Sequence, residues 1–160
     1  MVSFTEVYQI YAQRVYRFLL ALSGSEQQTE ELTQEVFYRA LLHIDRYRDQ
    51  GTMLTWLCTI GKNLWLSECR MRGRFIPLDD TPPLSIPGPE ESIQERERQR
   101  ALRRAIIALP EEQRDVLILH IYGGIPLKDI AAQKNRSESW GKVTFYRARQ
   151  KLARELEGFK

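Results

Sequence analysis

Apolar residues recur at helical spacing along most of the chain, and the breaks in that period mark its elements. Phe4, Val7, Tyr8, Tyr11, Val15, Phe18, Leu19 and Leu22 form one stripe, and Ser23-Gly24-Ser25 ends it. A second helix is predicted from about Gln28 to Arg46, with Leu32, Val36, Phe37, Ala40, Leu41 and Ile44 on one face. Arg46 to Gly51 loses the period and reads as a loop. A third helix follows, roughly Met53 to Arg72. Leu54, Leu57, Ile60, Gly61 and Leu64 face inward, with Trp56 and Trp65 nearby. Three antiparallel helices with short connections bury a common core. The pattern then stops. Residues 75–92 contain five prolines, which resist both helix and sheet and read as a linker. Extended at ~3.1 Å per residue, it spans roughly 55 Å, enough to hold two bundles well apart.

The period resumes near Ile93. Leu102, Ala105, Ile106 and Leu109 make a stripe. Pro110-Glu111-Glu112 starts another helix, with proline suited to the first position and the acids to the positive end of the helix dipole. Val116, Leu117, Leu119 and Ile121 carry its core, and Gly123-Gly124 stops it. Pro126 opens a short helix that buries Leu127, Ile130 and Ala131. Asn135 falls where the turn needs a left-handed residue, and Ser137 is placed to cap the last helix. The expected fold is all-α. A three-helix bundle over 1–74 and a helix-turn-helix bundle over 96–160 are joined by a proline-rich linker, 75–95.

Charge sharpens this division. Residues 1–74 carry 9 basic and 8 acidic side chains, residues 75–95 carry 5 acidic and no basic ones, and residues 96–160 carry 15 basic and 8 acidic. The total of +3 therefore hides a basic C-terminal unit, suited to a polyanion, and an acidic strap that DNA would repel. With 42% hydrophobic residues the chain can fill real cores. No apolar run reaches membrane-spanning length and the N-terminus lacks the regions of a signal peptide, so the expected location is cytoplasmic. Cys58 and Cys69 are eleven residues apart in one predicted helix, about 16 Å at helical rise, beyond disulfide reach. His43 and His120 are isolated, and no Cys/His cluster, phosphate loop or nucleophile elbow occurs. No metal, cofactor, catalytic residue or small-molecule substrate is expected.

The last helix carries the clearest chemistry. Between Ser139 and Arg154 its charged residues are Lys142, Arg147, Arg149, Lys151 and Arg154, with no acid among them. Phe145, Ala148 and Leu152 form the core-facing stripe. Lys142, Val143, Tyr146, Arg147 and Arg149 point elsewhere, toward a groove. Arginine can make two hydrogen bonds to guanine in the major groove. Lys128, Lys134, Arg136, Lys151 and Arg154 suit flanking phosphates. A basic face alone would more often be a solvated surface. Behind a correctly spaced short helix and turn, it reads as a DNA reader.

Three segments together resemble the extracytoplasmic-function (ECF) group of bacterial sigma factors, the small initiation subunits of RNA polymerase. The first is Thr29-Glu-Glu-Leu-Thr-Gln-Glu-Val-Phe-Tyr-Arg-Ala-Leu41. The second, Tyr47-Arg-Asp-Gln-Gly-Thr-Met-Leu-Thr-Trp-Leu-Cys-Thr-Ile-Gly-Lys-Asn63, is close to the family's Phe-Arg-Gly loop, Trp-Leu and Ile-Ala-x-Asn. The third is Leu109-Pro-Glu-Glu-Gln-Arg-Asp-Val-Leu117 with the helix-turn-helix behind it. The resemblance implies an alternative sigma factor that binds core polymerase, recognises −35 and −10 elements and promotes melting. It implies that Glu31, Leu32, Gln34, Glu35 and Phe37 dock on the β′ clamp helices and that the C-terminal unit meets the β flap. It further implies that Tyr47, Arg48, Asp49, Gln50, Gly51 and Thr52, with Asn63, capture a flipped −10 base. An extruded base needs an edge reader and a stacking ring, which Asn63 and Tyr47 could supply. Lys62, Arg70, Arg72 and Arg74 would follow the strand backbone, and Lys142, Val143, Tyr146, Arg147 and Arg149 would read the −35 element. The acidic strap would thread the polymerase's nucleic-acid channels. An anti-sigma factor, often membrane-bound in this family, would hold the protein inactive, which could keep it at the inner face of the membrane.

The chain departs from the family pattern at several positions. Asn135 stands where glycine is usual and Pro126 where serine is frequent. Thr144 stands where arginine is common. Gly141 replaces a hydrophobic residue, and Trp140 is expected to fill the space it leaves. Two other readings remain at this level: a helix-turn-helix regulator acting without core polymerase, with residues 1–74 as a sensing or dimerising module, and a helical adaptor whose basic helix binds protein. Phosphate contacts would lose affinity steeply with salt, which separates the adaptor.

Overall fold

The computed structural model describes residues 3–47, 52–75 and 92–157. Every regular element in those residues is helical. In the N-terminal unit α1 spans Phe4–Ser23, α2 Glu26–His43 and α3 Met53–Phe75, with a 3-10 turn at Ile44–Arg46. The C-terminal unit holds α4 (Ile93–Ile107), α5 (Glu111–Leu117), a π turn (Ile118–Tyr122), α6 (Leu127–Gln133) and α7 (Glu138–Glu155). Arg48 to Gly51 and most of the proline-rich segment lie outside the described residues. Phe75 closes α3 and residues 93–95 open α4, so both ends of the 75–95 span are helical.

The caps follow from the sequence. The side chains of Ser3, Ser25, Ser92 and Ser137 each accept a hydrogen bond from the backbone N–H three residues on, satisfying a donor the helix cannot. Gly24 ends α1 in the left-handed region at φ 72°, where its N–H reaches the Leu20 carbonyl. Asn135 takes φ 56° in the turn between α6 and α7, as its position predicts. Pro110 and Pro126 sit at the N-cap positions of α5 and α6, one step before the first helical residue, with no side chain to cap.

The N-terminal core gathers Val7, Val15, Phe18, Leu19 and Leu22 from α1, Leu32, Val36, Phe37 and Ala40 from α2, and Leu54, Leu57, Cys58, Trp65 and Leu66 from α3. The C-terminal core gathers Ile106, Leu109, Val116, Leu117, Ile118, Leu119, Ile125, Ile130 and Ala148. Three residues of the expected apolar stripes are exposed: Tyr8, Leu41 and Ile121. Leu41 lies at the solvent edge of the α2 stripe. Ile121 is turned out because the π turn adds a residue to the helical turn and rotates the register past Ile118 and Leu119.

The linker's length suggested two bundles held well apart. Instead they pack directly on each other: α3 lies against the π turn and α6, and α1 against the π turn. The interface is polar at several points. Lys62 Nζ stands 2.9 Å from Asp115 Oδ1, Thr59 Oγ1 donates to Gln133 Oε1 at 2.9 Å, and Arg103 Nε donates to the Leu22 carbonyl at 3.1 Å. None of these pairs follows from helical periodicity, which reports each unit's own core.

Candidate nucleic-acid interface

On α2 the expected docking set divides. Glu31 and Gln34 are exposed, and Glu35 is half-exposed in an i,i+4 ion pair with Arg39 at 2.9 Å. Leu32 and Phe37 are buried core residues and present no surface. Phe37 is held edge-on by Tyr8 at 4.9 Å and Phe4 at 6.5 Å. Both pack α2 against the rest of the bundle, which corrects the expectation that their side chains lie on a docking surface. The outward face instead carries Tyr38, Leu41 and Leu42, each at least half exposed. With Glu31, Gln34 and Glu35 they recur at helical spacing on one surface. The i, i+3, i+4 pattern continues past Glu35, but their apolar character makes them read as core in a sequence.

At the far end of α2 the helix meets α3 around a cleft of about 480 Å³ lined by Arg39, His43, Arg46, Trp56, Ile60, Asn63, Leu64 and Ser67. Asn63 is exposed on this wall. Tyr47 packs its ring on Trp56 at 5.6 Å, tilted by 57°. Thr52 caps the start of α3, accepting from the Thr55 N–H at 3.1 Å and sharing a 2.8 Å hydrogen bond with its hydroxyl. The cleft thus brings together an amide, the Trp56 ring with Tyr47 packed on it, and three side chains with ring or guanidinium nitrogens. Of the residues that sequence reasoning named, Asn63 lines the cleft, whereas Tyr47 and Thr52 do not; Arg39, His43, Arg46 and Trp56 were missed as wall residues. Their signal is present: 39, 43 and 46 fall on one face of the α2 end, and 56, 60, 63 and 67 on one face of α3.

Arg70 is exposed, but Lys62 is not. Its side chain is 3% exposed and paired with Asp115, so in this arrangement it cannot reach a DNA strand. Burial pulls its pKa below the usual lysine value, partly offset by the Asp115 carboxylate. Asp115 also holds Arg114 at 3.1 Å and Lys134 at 3.5 Å. Lys134 is therefore engaged inward rather than displayed for phosphate.

The last two helices meet closely. A Cβ on Gly141 would stand 3.1 Å from the Leu127 carbonyl oxygen and 3.6 Å from Ala131 Cβ. The missing side chain leaves no hole, because α7 has moved onto α6. Trp140 does not fill that space. It lies half-buried beside it, with the Arg136 guanidinium 5.5 Å from its ring centre. Arg136 also pairs with Glu112 at 3.7 Å. Thr144 is buried toward α5, so arginine's usual position is not on the outer face here.

That outer face of α7 carries the predicted set. Lys142, Val143, Tyr146, Arg147 and Arg149 are all exposed, and Phe145, Ala148 and Leu152 turn inward. Lys142 reaches Glu138 at 3.7 Å. Arg147 lines a 280 Å³ groove with Trp140, Val143 and the start of α5. The Arg149 guanidinium rests 5.8 Å from the Phe145 ring centre, at the other rim. Gln150 Nε2 donates to the Tyr146 hydroxyl at 2.8 Å. Ser139, Tyr146 and Gln150 share the central line of the face, so Ser139 and Gln150 belong to it although charge did not mark them. The arrangement is a helix-turn-helix with a polar, basic outer face and a separate half-open cleft on another bundle. No cluster among the described residues could hold a metal ion, and no described helix is long and apolar enough to cross a membrane.

These features define, in the described residues, a protein of two helical units, the second a helix-turn-helix. Residues 7–75 match the family described as sigma-70 region 2, and residues 99–152 match sigma-70 region 4. The chain is 33% identical to the ECF RNA polymerase sigma factor EcfG of Rhodopseudomonas palustris, over 85% of this chain and 75% of that one. It is also 33% identical to the ECF sigma factor SigE of Mycolicibacterium smegmatis, over 95% of this chain and 61% of SigE. The chain thus spans less than two thirds of the length of SigE. Among solved structures, that of the sigma factor RpoE in complex with the anti-sigma factor NepR from Bartonella quintana superposes with a TM-score of 0.60 at 24% identity, covering 96% of both chains, a likeness of fold. The chain belongs to the ECF family of RNA polymerase sigma factors. Sigma factors give the polymerase its promoter specificity and are not enzymes.

Proposed function

We propose that this chain serves core RNA polymerase as an alternative sigma factor through three separate surfaces. The first is the outer face of α2, where the carboxylates of Glu31 and Glu35, the amide of Gln34 and the apolar side chains of Tyr38, Leu41 and Leu42 dock on the β′ clamp helices. An interface core of apolar residues inside a charged rim supports that role. The second is the α2–α3 cleft. A base unstacked from the −10 element enters it, reads its edge against Asn63 and lies by the Tyr47–Trp56 pair, while Arg39 and Arg46 approach its phosphates. The loop from Arg48 to Gly51 borders that site in the sequence. The third is α7, which enters the −35 major groove with Lys142, Val143, Tyr146, Arg147 and Arg149, while its unit meets the β flap.

In this reading residues 1–74 and 96–160 are the two working domains, and the acidic 75–95 segment threads between them through the polymerase. The polymerase makes every bond, and the sigma chain itself catalyses none. The protein acts in the cytoplasm and is held inactive by an anti-sigma partner, which could sit at the inner face of the membrane. The observation that carries the reading is that one chain has both a basic helix-turn-helix face and, on a different bundle, a cleft with an exposed amide, Asn63, and the Trp56 ring, on which Tyr47 packs. A promoter gel-shift tests it. Free protein should bind duplex promoter weakly, and addition of core polymerase should give a tight, heparin-resistant complex. Tight, sequence-specific binding by the free protein, unaltered by core enzyme, would overturn it.

A further inference from the structure

The middle of the α7 face is uncharged. Ser139, Tyr146 and Gln150 stand seven and then four residues apart, on one line of the helix, and all three are exposed. The cations flank that line. Lys142 reaches Glu138 at 3.7 Å, the Arg149 guanidinium rests 5.8 Å from the Phe145 ring centre, and Arg147 lines the groove beside Trp140. A duplex carries its phosphates at the rims of the major groove and its base edges on the floor. The middle line of a helix seated there meets the bases, and its flanks meet the phosphates.

One bond on this line is not needed by the fold. Gln150 Nε2 donates to the Tyr146 hydroxyl at 2.8 Å, between two exposed side chains, and Tyr146 is 59% exposed. An exposed i,i+4 contact adds little to a helix that Ser137 already caps and that Phe145, Ala148 and Leu152 already anchor. Its effect is to orient the amide. A free glutamine side chain turns among several rotamers and loses that freedom on binding; one held in advance loses less. The held amide still has a second N–H and its Oε1 to offer, one donor and one acceptor side by side. Adenine presents the complement in the major groove, N7 as acceptor and N6 as donor. Guanine presents two acceptors there, which would leave Oε1 facing another oxygen.

We propose that Gln150 is a specificity-determining residue of this chain, reading adenine at one pair of the −35 element, and that Tyr146 is its positioning residue. The amide hydrogen trans to Oε1 serves the Tyr146 hydroxyl. The cis hydrogen donates to adenine N7, and Oε1 accepts from adenine N6. Tyr146 thus fixes which way the amide faces, in addition to its own place in the groove. The assignment rests on the −35 role given above to α7. Glutamine is neither basic nor apolar, so neither charge nor periodicity marks it in the sequence.

The test selects duplexes randomised through the −35 region, once with the full chain and core polymerase and once with the full chain alone at low salt. The native chain should enrich adenine at one pair by about fivefold or more over the other bases. Gln150→Leu should flatten that pair and leave the others as they were. Gln150→Glu, whose carboxylate accepts but does not donate, should turn the same pair toward cytosine, whose N4 donates. Tyr146→Phe, which keeps the ring and loses the hydroxyl, should weaken the adenine preference severalfold at that pair. A Gln150→Leu profile identical to that of the native chain would overturn the reader. So would an equal loss of affinity for every sequence, which is the mark of a phosphate contact. An adenine preference unchanged in Tyr146→Phe would overturn the positioning role. The selection by the chain alone needs no polymerase, so an adenine preference there that Gln150→Leu removes upholds the reader even if core polymerase leaves the chain inactive. No preference at any pair in either selection would overturn the reader and the −35 role together.

Discussion

Gly61 and Gly141 offer a test of how tightly each bundle is built. Both lie in helices and both are buried, so alanine gains about 1 kcal/mol of helix propensity at either. What the new methyl meets differs. At Gly61 it stands 3.1 Å from Leu19 Cδ2 and 3.3 Å from Val36 Cγ2. The nearer atom is the tip of a leucine side chain, which can move a few tenths of an ångström by a small rotation. That relaxation costs on the order of 0.5–1 kcal/mol, and burying the methyl returns about 0.8 kcal/mol. Gly61→Ala should therefore stabilise the protein by about 1 kcal/mol. At Gly141 the methyl stands 3.1 Å from the Leu127 backbone carbonyl. Only a shift of α7 against α6 can relieve it, at about 1–3 kcal/mol for overpacking. Gly141→Ala should be neutral to destabilising by about 2 kcal/mol despite the same gain in propensity. Urea unfolding followed by far-ultraviolet circular dichroism measures both, and a 1 kcal/mol change moves Tm by about 2–4 °C for a chain of this size. Equal effects at the two sites, or a more stable Gly141→Ala, would refute the distinction between a yielding side chain and a fixed carbonyl.

The assigned side chains give further expectations. Arg147→Ala should reduce initiation from −35-dependent promoters by roughly tenfold or more, the loss of about 1–3 kcal/mol of base discrimination, with core-polymerase binding unchanged in a pull-down. Loss of both would make the residue structural. Asn63→Ala should lower open-complex yield, read by permanganate footprinting, more than it lowers polymerase docking; an unaltered footprint would remove it from the site. Burial pushes the Cys58 thiol up to about 12 and the Cys69 thiol up to about 11. The unfolded chain therefore ionises first, and these two residues make stability fall from about pH 9 upward. Unfolding curves between pH 8 and 10.5 should show a shallower decline in the Cys58→Ser/Cys69→Ser variant, and an identical slope would contradict the assignment.

Much of the fold was legible because it rests on short-range physics. Period 3.6 marked each bundle's inner face, serines marked the helix starts, and Asn135 marked the turn before α7 through its tolerance of positive φ. The basic outer face of α7 was legible for the same reason: Phe145, Ala148 and Leu152 point inward, so the charged residues between them point out. Errors arose where one helix face serves two purposes. Leu41 continues an apolar stripe but is exposed on the outward face of α2, while Leu32 and Phe37 match a contact motif but fill the core. Ile121 was misplaced because a π turn leaves no mark in binary pattern. Lys62 was misjudged because a lysine reads as solvent-facing until its partner, 53 residues away, is known. Long-range polar pairing carries no periodic signal, so the packing of one unit on the other stayed hidden.

The central claim is that this chain directs core RNA polymerase to promoters. Run-off transcription with purified core enzyme on a promoter library tests it most directly. Adding the chain should give discrete transcripts, from templates sharing a −35 and a −10 motif, that core enzyme alone does not make. Transcription no different from that of core enzyme alone, with a chain that is folded and free of its inhibitor, would contradict the account.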